Sequence, residues 1–516
     1  MIKNKIQLIT YANSFGKNIE ELHSILNRFF KEEIGGVHLL PFFPSSSDRG
    51  FSPVDYFEVE SSFGTWGDVK KLASDYALTS DLVINHISRH SKYFQDFLEK
   101  GDKSEYKDCF ITPKKFNQNH SIKYLKYLEK RLPAFILSIF DNISQSDFIF
   151  HKNGINKIDL GKIYRRHRNP LFYDFEKKDG TKSVLYCTFS PDQIDWDIEN
   201  LKVKKIFKKI IDNLAKNKIK VVRLDAVAYA AKKRGTNGFF IEETYNFIKW
   251  LAKTSHSNGM QVLPEVHSKY ISQIKLSQIK GVDYVYDFAL PLVVLHTIFS
   301  QSSRRLEEWV KVRPTNAMTV LDTHDGIDIS DVEGFLSEKE IEDIKEKVFS
   351  FDNSSAKIAS GFGFGNTNIN QINSSFYCAV NKKHDDYINA RIIQYFMPGI
   401  PQIFYVGLLA GGNDLKRLYK TKTGREIMRH NYTKKEIEKN LKRKIVQRLL
   451  KLSRFRNNYP AFDGKFSFEV GEKNHLFIMK WGKDSFYCEA HIDLKKHENK
   501  IKYIDPETKS LVEESF

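Results

Sequence analysis

The chain has 516 residues, of which 41% are hydrophobic and 13% aromatic, and it carries a net charge of +17. This composition supplies a large buried core and excludes an intrinsically disordered chain. The length corresponds to about three domains of ordinary size, or to one barrel with additions.

Signals for a membrane or secreted protein are missing from the sequence. No run approaches the ~18 apolar residues of a membrane span, and the N-terminal segment MIKNKIQLITYANSFG is too polar for a signal-peptide core. The cysteines Cys109, Cys187, Cys378 and Cys488 form no CxxC pair and no disulfide spacing. We therefore predict a cytoplasmic protein with reduced thiols and no membrane partner.

The excess of Lys and Arg raises nucleic-acid binding as an alternative, because clustered cations displace counterions from phosphates. In KNLKRKIVQRLLKLSRFR, however, Leu441, Ile445, Leu449 and Leu452 recur every three or four residues, which leaves the charges on the outer face of a helix. No nucleic-acid-binding motif accompanies the charge. We expect no nucleic-acid partner, and a basic surface that attracts small anions.

Short β-branched segments alternate with amphipathic helical patterns along the chain. Eight predicted strands result: 5–12, 35–43, 80–88, 219–227, 260–267, 283–291, 317–326 and 399–407. Strands separated by helices in this way predict an α/β fold, a parallel (β/α)8 TIM barrel. A doubly wound open sheet is the alternative, but no GxGxxG turn follows the first strand.

Two connections between predicted strands are too long for a single helix. We assign them to inserted subdomains, 84–199 after the third strand and 327–381 after the seventh. The tail, 460–516, alternates apolar and polar residues as a small antiparallel β domain does. The catalytic barrel then comprises residues 1–83, 200–326 and 382–459.

Polar residues fall near the C-terminal ends of the predicted strands. They are Asn85, His86, Arg223, Asp225, Glu265, His267, His324 and Asp325. In a parallel barrel these ends open onto one face. Single polar residues at strand ends are ordinary loop contacts, but several carboxylates gathered in one cleft are unfavourable without a use. The set therefore predicts an active site.

Paired carboxylates are typical of glycosidic chemistry, in which one attacks or stabilises and the other donates a proton. Arg223 lies two positions before Asp225 and points to the same side of a strand, so it favours the ionised form of Asp225. Pro264 and Val266 give Glu265 a less polar setting, which suits a proton donor. The sequence leaves retention and inversion of configuration open.

Other chemistries find less support in the sequence. His86 and His90 form an HxxxH pair, but the glutamate of the HExxH zinc motif is missing, and we predict no metal site. Neither a GxxxxGK[ST] phosphate loop nor a GxSxG nucleophile elbow occurs.

Four motifs, INH at 84–86, RLDAV at 223–227, EVH at 265–267 and DTHDG at 322–326, resemble those of the α-amylase family, glycoside hydrolase family 13. More narrowly, QLITYA, GGVHLLPFFPSSSDRGFSP, YDFALP, PGIPQIFYVGLLAG and GREIMRHNY are similar to its sucrose phosphorylase group. The likeness runs nearly end to end, and it is weaker in the first insert and the tail.

This resemblance implies a double displacement that retains the α configuration and needs no cofactor. Asp225 would be the nucleophile, Glu265 the general acid and base, and Asp325 the stabiliser of the transition state. Asp48 and Arg425 would pair at the closed end of the sugar pocket. The other implied binding residues are Phe51, His86, Phe189, Gln193, Arg223 and His324 around the sugar, and Tyr229, Phe239, His267 and Gln371 toward the acceptor.

The acceptor loop departs from the pattern of the group. In NTNINQIN, Asn368 and Asn370 stand where typical sucrose phosphorylases carry Asp and Tyr, while Gln371 is retained. Relatives that use sucrose 6'-phosphate carry a His at the second of these positions and an Arg in the first insert. Arg166 matches that Arg, and the His is absent.

We therefore expect a phosphorylase, a hexosyltransferase that converts sucrose and inorganic phosphate to α-D-glucose 1-phosphate and fructose. The alternatives within this chemistry are sucrose 6'-phosphate phosphorylase and an α-glucoside phosphorylase with another acceptor. A hydrolase or transglucosidase would act without phosphate. A catalytically silent sugar-binding barrel is disfavoured, because all three acids are present.

Overall fold

The computed structural model describes residues 2–117, 148–151, 154–157, 163–164, 170–233, 236–364 and 371–516. The predicted acceptor residues Arg166, Asn368 and Asn370 lie outside these ranges. Within them, every helix is too short or too polar to cross a lipid bilayer.

Eight parallel strands form the centre of the molecule. In chain order, β1 to β8 are Gln7–Thr10, Gly36–Leu39, Ala77–Val83, Val221–Asp225, Gln261–Pro264, Val285–Asp287, Ala317–Thr319 and Ile400–Phe404. Neighbouring strands follow the order β5-β4-β3-β2-β1-β8-β7-β6. The backbone N–H groups of Asp283 and Tyr284, directly before β6, both donate to the carbonyl of Val262 in β5 at 3.2 Å and join the two edges of the sheet. The predicted (β/α)8 barrel is thus confirmed.

A helix packs outside the barrel after each strand. Helix α3, Leu201–Lys216, shows why such segments are helical. Its apolar residues recur at helical spacing and are buried, and the Asn200 side chain caps the first turn by accepting from the N–H of Lys202. In chain order, α1 to α8 are Ile19–Phe29, Trp66–Asp75, Leu201–Lys216, Glu242–His256, Tyr270–Ser277, Leu290–Ser300, His384–Phe396 and Lys444–Asn458. Further helices are Arg304–Val312, Leu415–Thr421 and Lys434–Asn440.

Several strands are shorter than the sequence predicts. Predicted strand 80–88 stops at Val83, and predicted strand 317–326 stops at Thr319. The apolar pattern continues past both ends because residues such as Leu321 stay buried at the barrel mouth. Most of the polar candidates consequently lie in the turns that directly follow the strands, rather than on the strands themselves.

Two segments leave the barrel between a strand and its helix, and these are the proposed inserts. Between β3 and α3, the described residues include helix Lys92–Lys100 and the strand pairs His86–Ser88 with Gln193–Asp195, and Phe172–Glu176 with Lys182–Tyr186. A further pair there is Phe148–His151 with Gly154–Lys157. Between β7 and α7 lie helices Glu338–Ser350 and Ser355–Ser360 and the pair Ile327–Asp328 with Gln371–Ile372.

The C-terminal residues form an antiparallel sheet, as the sequence predicts, and the sheet has five strands. Burial alternates along its second strand, because one face of the sheet packs against the barrel. That face covers α7, and Trp481 Nε1 donates to the carbonyl of Phe396 at 2.7 Å. Helix α7 is therefore buried on nearly every side. The strands are Lys465–Val470, Leu476–Lys483, Phe486–Asp493, Glu498–Ile504 and Leu511–Glu514.

Candidate active site

A cavity of about 390 Å³ opens at the C-terminal ends of the barrel strands. Its size and mixed polar and aromatic lining are those of a small-molecule site. Thirteen predicted residues line the cavity: Asp48, Phe51, His86, Phe189, Gln193, Asp225, Tyr229, Glu265, His267, His324, Asp325, Gln371 and Arg425. Two other predicted residues lie just outside the lining: Arg223 is buried beneath the cavity, and Phe239 packs against Tyr229.

Arg223 and Asp225 occupy alternate positions on β4. Strand pairing sets Arg223 opposite Asp81 of β3, and residues in register on parallel strands point to the same side. Arg223 Nη1 contacts Asp81 and lies 2.7 Å from Asp225 Oδ1. The side chains of Arg223 and Asp81 are 2% and 0% exposed. A charge in an otherwise apolar strand is therefore paired on two sides, which offsets its desolvation.

The charge state of Asp225 depends on competing neighbours. Burial raises the pKa of Asp225, and it outweighs the opposing effect of Arg223, which the sequence predicted to dominate. The carboxylates of Glu265, Asp81 and Asp325 raise the pKa of Asp225 further. Neutralising any one of these three carboxylates therefore favours the ionised form of Asp225.

Glu265 directly follows β5 and is tied to the turn after Asp225. Its Oε2 accepts a hydrogen bond from the backbone N–H of Ala226 at 2.9 Å and lies 3.9 Å from Arg223 Nη2. Ala226 has a φ of 52°, a left-handed conformation that is uncommon for a residue with a side chain and recurs at functional sites. The two carboxyl groups are thus fixed relative to one another through a single turn.

Asp325 is surrounded by polar groups. Arg425 Nη1 lies 2.7 Å from Oδ1 and His324 Nε2 lies 3.2 Å from Oδ2, while Gln371 donates to the Asp325 carbonyl. Burial acts to raise the pKa of Asp325, but His324, Arg425 and His267 outweigh it and hold that pKa well below its usual range. Asp325 is therefore ionised at neutral pH.

The direct pair of Asp48 with Arg425 that the resemblance implies is not formed. Among the described residues, Arg425 makes its ion pair with Asp325, because that strongly ionised carboxylate lies within bonding distance. Asp48 still lines the same pocket. Asp48 and Arg49 both adopt left-handed φ values, 52° and 49°, and Arg49 Nε anchors this turn to Glu426 Oε1 at 2.8 Å.

Phe51 forms an apolar wall whose backbone is fixed by two donors. Its carbonyl accepts from His86 Nε2 at 2.9 Å and from Gln193 Nε2 at 3.2 Å. Its ring stacks on that of His324, with centroids 4.9 Å apart and planes 1° from parallel. Burial lowers the pKa of His86 to about 4, so this histidine is neutral at physiological pH.

His267, in contrast, is the cationic histidine of the pocket. Its Nδ1 lies 2.8 Å from Asp331 Oδ2, and its Nε2 lies 3.4 Å from Glu265 Oε1 and 3.9 Å from Asp325 Oδ2. Burial acts to lower the pKa of His267, but these three carboxylates raise it well above its usual value. The imidazolium offers a positive charge in a pocket lined by acids.

Aromatic rings border the side that the resemblance assigns to the acceptor. Tyr229 packs edge-on against Phe189 at 5.3 Å and against Phe239 at 5.1 Å. Tyr164 contacts Phe239 at 4.5 Å and is itself 40% exposed. These rings form a partly exposed aromatic cluster of the kind found in small-molecule sites.

Known proteins resemble the whole chain. Residues 11–447 match the family described as alpha amylase, catalytic domain. A sucrose 6(F)-phosphate phosphorylase from Thermoanaerobacterium thermosaccharolyticum is 40% identical over 515 residues, 98% of each chain. A sucrose phosphorylase from Streptococcus mutans is 40% identical over 498 residues, 96% of each chain. The chain belongs to the sucrose phosphorylase group of the α-amylase family.

A solved structure of the same group agrees with this assignment. The crystal structure of sucrose 6F-phosphate phosphorylase from Thermoanaerobacter thermosaccharolyticum has a TM-score of 0.86 and 39% identity, and the match covers 100% of this chain and 98% of that one. The family predicted from the four motifs is thus confirmed. This member of the sucrose phosphorylase group is a glycosyltransferase.

Sequence reasoning missed two buried carboxylates of this sucrose phosphorylase-group site, Asp81 and Asp331. A signal for Asp81 exists, because it interrupts the apolar run of SDLVINH on a strand that neighbours the one carrying Arg223. Asp331 carries no such signal, since it follows the pocket turn DTHDG within the acidic stretch IDISD. Its contact with His267 depends on the path of a loop.

One cluster of this site has the spacing of metal ligands. Glu265, His267 and Asp325 each bring one ligand atom within 4.8 Å of the others. The backbone N–H of Ala226 already bonds Glu265, and Arg425 already bonds Asp325. These contacts favour acid–base and sugar-binding roles over cation binding.

Proposed function

We propose that the enzyme is a sucrose phosphorylase, which transfers glucose from sucrose to inorganic phosphate and yields α-D-glucose 1-phosphate and fructose. The observation that carries the proposal is the arrangement of Asp225 and Glu265. Asp225 is bonded to the buried Arg223. Glu265 accepts a hydrogen bond from the backbone N–H of Ala226, the residue that follows Asp225. Membership of the sucrose phosphorylase group supports the same chemistry.

In the first step, Asp225 attacks the anomeric carbon of the glucosyl unit. The bond from this carbon to the fructosyl oxygen breaks, and Glu265 gives its proton to that oxygen. The product is a β-glucosyl ester on Asp225. Arg223 loses its charge partner at this moment and retains Asp81 as its counterion, so the buried guanidinium is never left unpaired.

In the second step, monoprotonated phosphate enters where fructose has left. A phosphate oxygen forms the bond to the anomeric carbon, the ester bond to Asp225 breaks, and Glu265 takes the phosphate proton. This restores both carboxyl groups to their starting states, and two inversions at one carbon retain the α configuration. Ionised Asp325 faces the positive charge that develops on the sugar in both transition states.

A phosphate dianion must approach carboxylates that repel it. His267 offsets this repulsion, because its imidazolium lies 3.4 Å from Glu265 Oε1, where the proton is exchanged. We propose Arg166, Asn368 and Asn370 as additional acceptor residues from the sequence alone.

The closed end of the pocket explains why a single glucosyl unit is transferred. Asp48, Arg425 and Asp325 surround this end, and we assign them to the distal hydroxyl groups of the sugar. Phe51 covers the apolar side of the ring, on a backbone fixed by His86 and Gln193. A longer glucan finds charged groups where its next unit would lie.

A sucrose 6'-phosphate phosphorylase is the second candidate. The 40% identity to a relative of that name over 98% of the chain favours it, and so does the match of Arg166 to an arginine of such relatives. Those relatives carry a His at the position where this chain has Asn370. The absence of that His favours sucrose, the unphosphorylated donor.

The test is incubation of purified enzyme with each donor, sucrose or sucrose 6'-phosphate, with and without inorganic phosphate. We expect α-glucose 1-phosphate from sucrose only when phosphate is present, with a higher kcat/KM than from the phosphorylated donor. A reversed ratio of kcat/KM values selects the second candidate. Free glucose at the same rate without phosphate would identify a hydrolase and refute both.

A further inference from the structure

A chain of buried polar groups runs beneath the pocket across three neighbouring strands. His38 lies on β2, Asp81 on β3, and Arg223 and Asp225 on β4. His38 Nε2 is 2.8 Å from Asp81 Oδ2, while Asp81 Oδ1 contacts Arg223 Nη1, which also bonds Asp225. The side chains of His38 and Asp81 are 1% and 0% exposed, and neither residue lines the sugar pocket.

The hydrogen bond to Asp81 shows which nitrogen of the His38 ring is the donor. An ionised carboxylate only accepts hydrogen bonds, so Nε2 of His38 carries the proton and donates it. Nδ1 of His38 is buried and makes no hydrogen bond among the described residues. His38 is therefore the donor in its hydrogen bond with Asp81.

Asp81 affects Asp225 in two ways, and both disfavour the attacking anion. Asp81 competes with Asp225 for the same nitrogen of Arg223, because Nη1 contacts both carboxylates. The negative charge of Asp81 also raises the pKa of Asp225. A donor that disperses the charge of Asp81 weakens both effects, and His38 is that donor.

We propose that His38 is a positioning residue for the nucleophile: by bonding to Asp81, it leaves Arg223 available to hold Asp225 as the attacking anion. The inference rests on the proposed role of Asp225. It assigns a function to a buried histidine that does not touch the sugar and lies on a different strand from either catalytic acid.

Other ionisable groups face this chain and stay in place when His38 is changed. Glu265 and Asp325 act on Asp225 from the loops after β5 and β7. Tyr286 of β6 lies against Arg223, with its ring centroid 5.9 Å from the guanidinium carbon. Tyr56 and His324 are further ionisable groups around Asp81 and Asp225. On the strands beside His38, Ile9 and Thr79 are its register partners and carry no charge.

The test compares His38→Leu, which removes the donor, with His38→Gln, which keeps an N–H. The substrate is α-D-glucosyl fluoride, whose leaving group needs little protonation, so the acid limb of kcat/KM for fluoride release reports ionisation of the nucleophile. We expect the midpoint of this limb to rise by about one pH unit in His38→Leu. Below the midpoint this corresponds to a roughly tenfold loss of kcat/KM. His38→Gln returns the midpoint toward that of the wild type.

A His38→Leu enzyme whose acid limb has the wild-type midpoint overturns the proposal. A fall in its Tm would not rescue the proposal, because Tm reports lost packing and the midpoint reports ionisation of the nucleophile. If His38→Leu does not fold, Asp81→Asn decides the question. Removing the competing charge should lower the midpoint, and a midpoint that stays or rises contradicts the proposal. A wild-type enzyme that releases no fluoride refutes the proposed function instead, which is a separate outcome.

Discussion

The two sides of the pocket are built from different parts of the molecule. The proposed glucosyl side lies at and just beyond the strand ends, where the side chains of Asp225, Glu265 and Asp325 are 13%, 9% and 13% exposed. The proposed acceptor side has His267 and Gln371 in its lining. Its other described residues are half-buried aromatic rings on the loop after β4 and the exposed Tyr164 in the first insert.

In the proposed function, the chemistry depends on the glucosyl side, and selectivity for the acceptor depends on the other side. Barrel register fixes Asp225, because Arg223 meets Asp81 and Asp225 through strand pairing and alternation alone. Glu265 directly follows β5, and Asp325 lies in the turn after β7. The aromatic rings depend on loop paths, so a change there alters which acceptor fits without moving the acids. Substitutions on the two sides should therefore affect different kinetic constants.

The largest effect is expected on the glucosyl side. Asp225→Asn removes the attacking group and should lower kcat for phosphorolysis of sucrose on the order of 10⁴-fold or more. Circular dichroism and Tm serve as controls that the fold is retained. Substantial turnover by a folded Asp225→Asn enzyme would show that another group forms the covalent bond.

A smaller loss is expected from Glu265→Gln, and it should depend on the leaving group. Without a proton donor, kcat/KM for sucrose should fall by about 10²- to 10⁴-fold. The rate of fluoride release in the first turnover of α-D-glucosyl fluoride should change little, because fluoride leaves with little help from an acid. Equal losses with both substrates would refute the role of Glu265 as general acid.

Buried His86, on the glucosyl side, should make the free energy of unfolding depend on pH. The native pKa of His86, about 4, lies below the unfolded value of 6.5, so the unfolded state binds more protons between these values. Its contribution to stability is complete above pH 6.5 and is lost as the pH falls through 4, a change of about 3 kcal/mol.

Urea unfolding at pH 7 and pH 4.5 measures this change. His86→Gln, which keeps a donor for the carbonyl of Phe51, should lose less stability between the two pH values than the wild type does. If both proteins lose the same unfolding free energy, His86 does not titrate between those pH values as described.

The smallest effect is expected on the acceptor side, and a matched control exists. Tyr164 and Tyr487 are 40% and 39% exposed, but Tyr487 lies in the C-terminal sheet. Tyr164→Ala should raise KM for fructose in the synthetic direction about 2- to 10-fold, and fluoride release should be unchanged. Tyr487→Ala should alter neither quantity. Equal effects of the two substitutions would remove Tyr164 from the acceptor side.

The same difference explains what the sequence reveals. The barrel and the three acids can be predicted, because strand periodicity and charges in apolar segments leave a pattern along the chain. Three features could not be predicted: the ion pair of Arg425 with Asp325, the contact of Asp331 with His267, and the early end of β3 at Val83. They depend on how loops turn after the strands, and residue spacing carries no signal of that.

In the proposed mechanism, Asp225 forms the covalent bond to the sugar while Glu265 transfers the proton. Both roles can be observed by treating Glu265→Gln with α-D-glucosyl fluoride, quenching with acid, and mapping the modified peptide by mass spectrometry. Glucosylation should proceed and release from the enzyme should be slow, so a hexosyl adduct should accumulate on Asp225. An adduct on another residue, or fluoride release with no adduct at any time after mixing, would contradict the account.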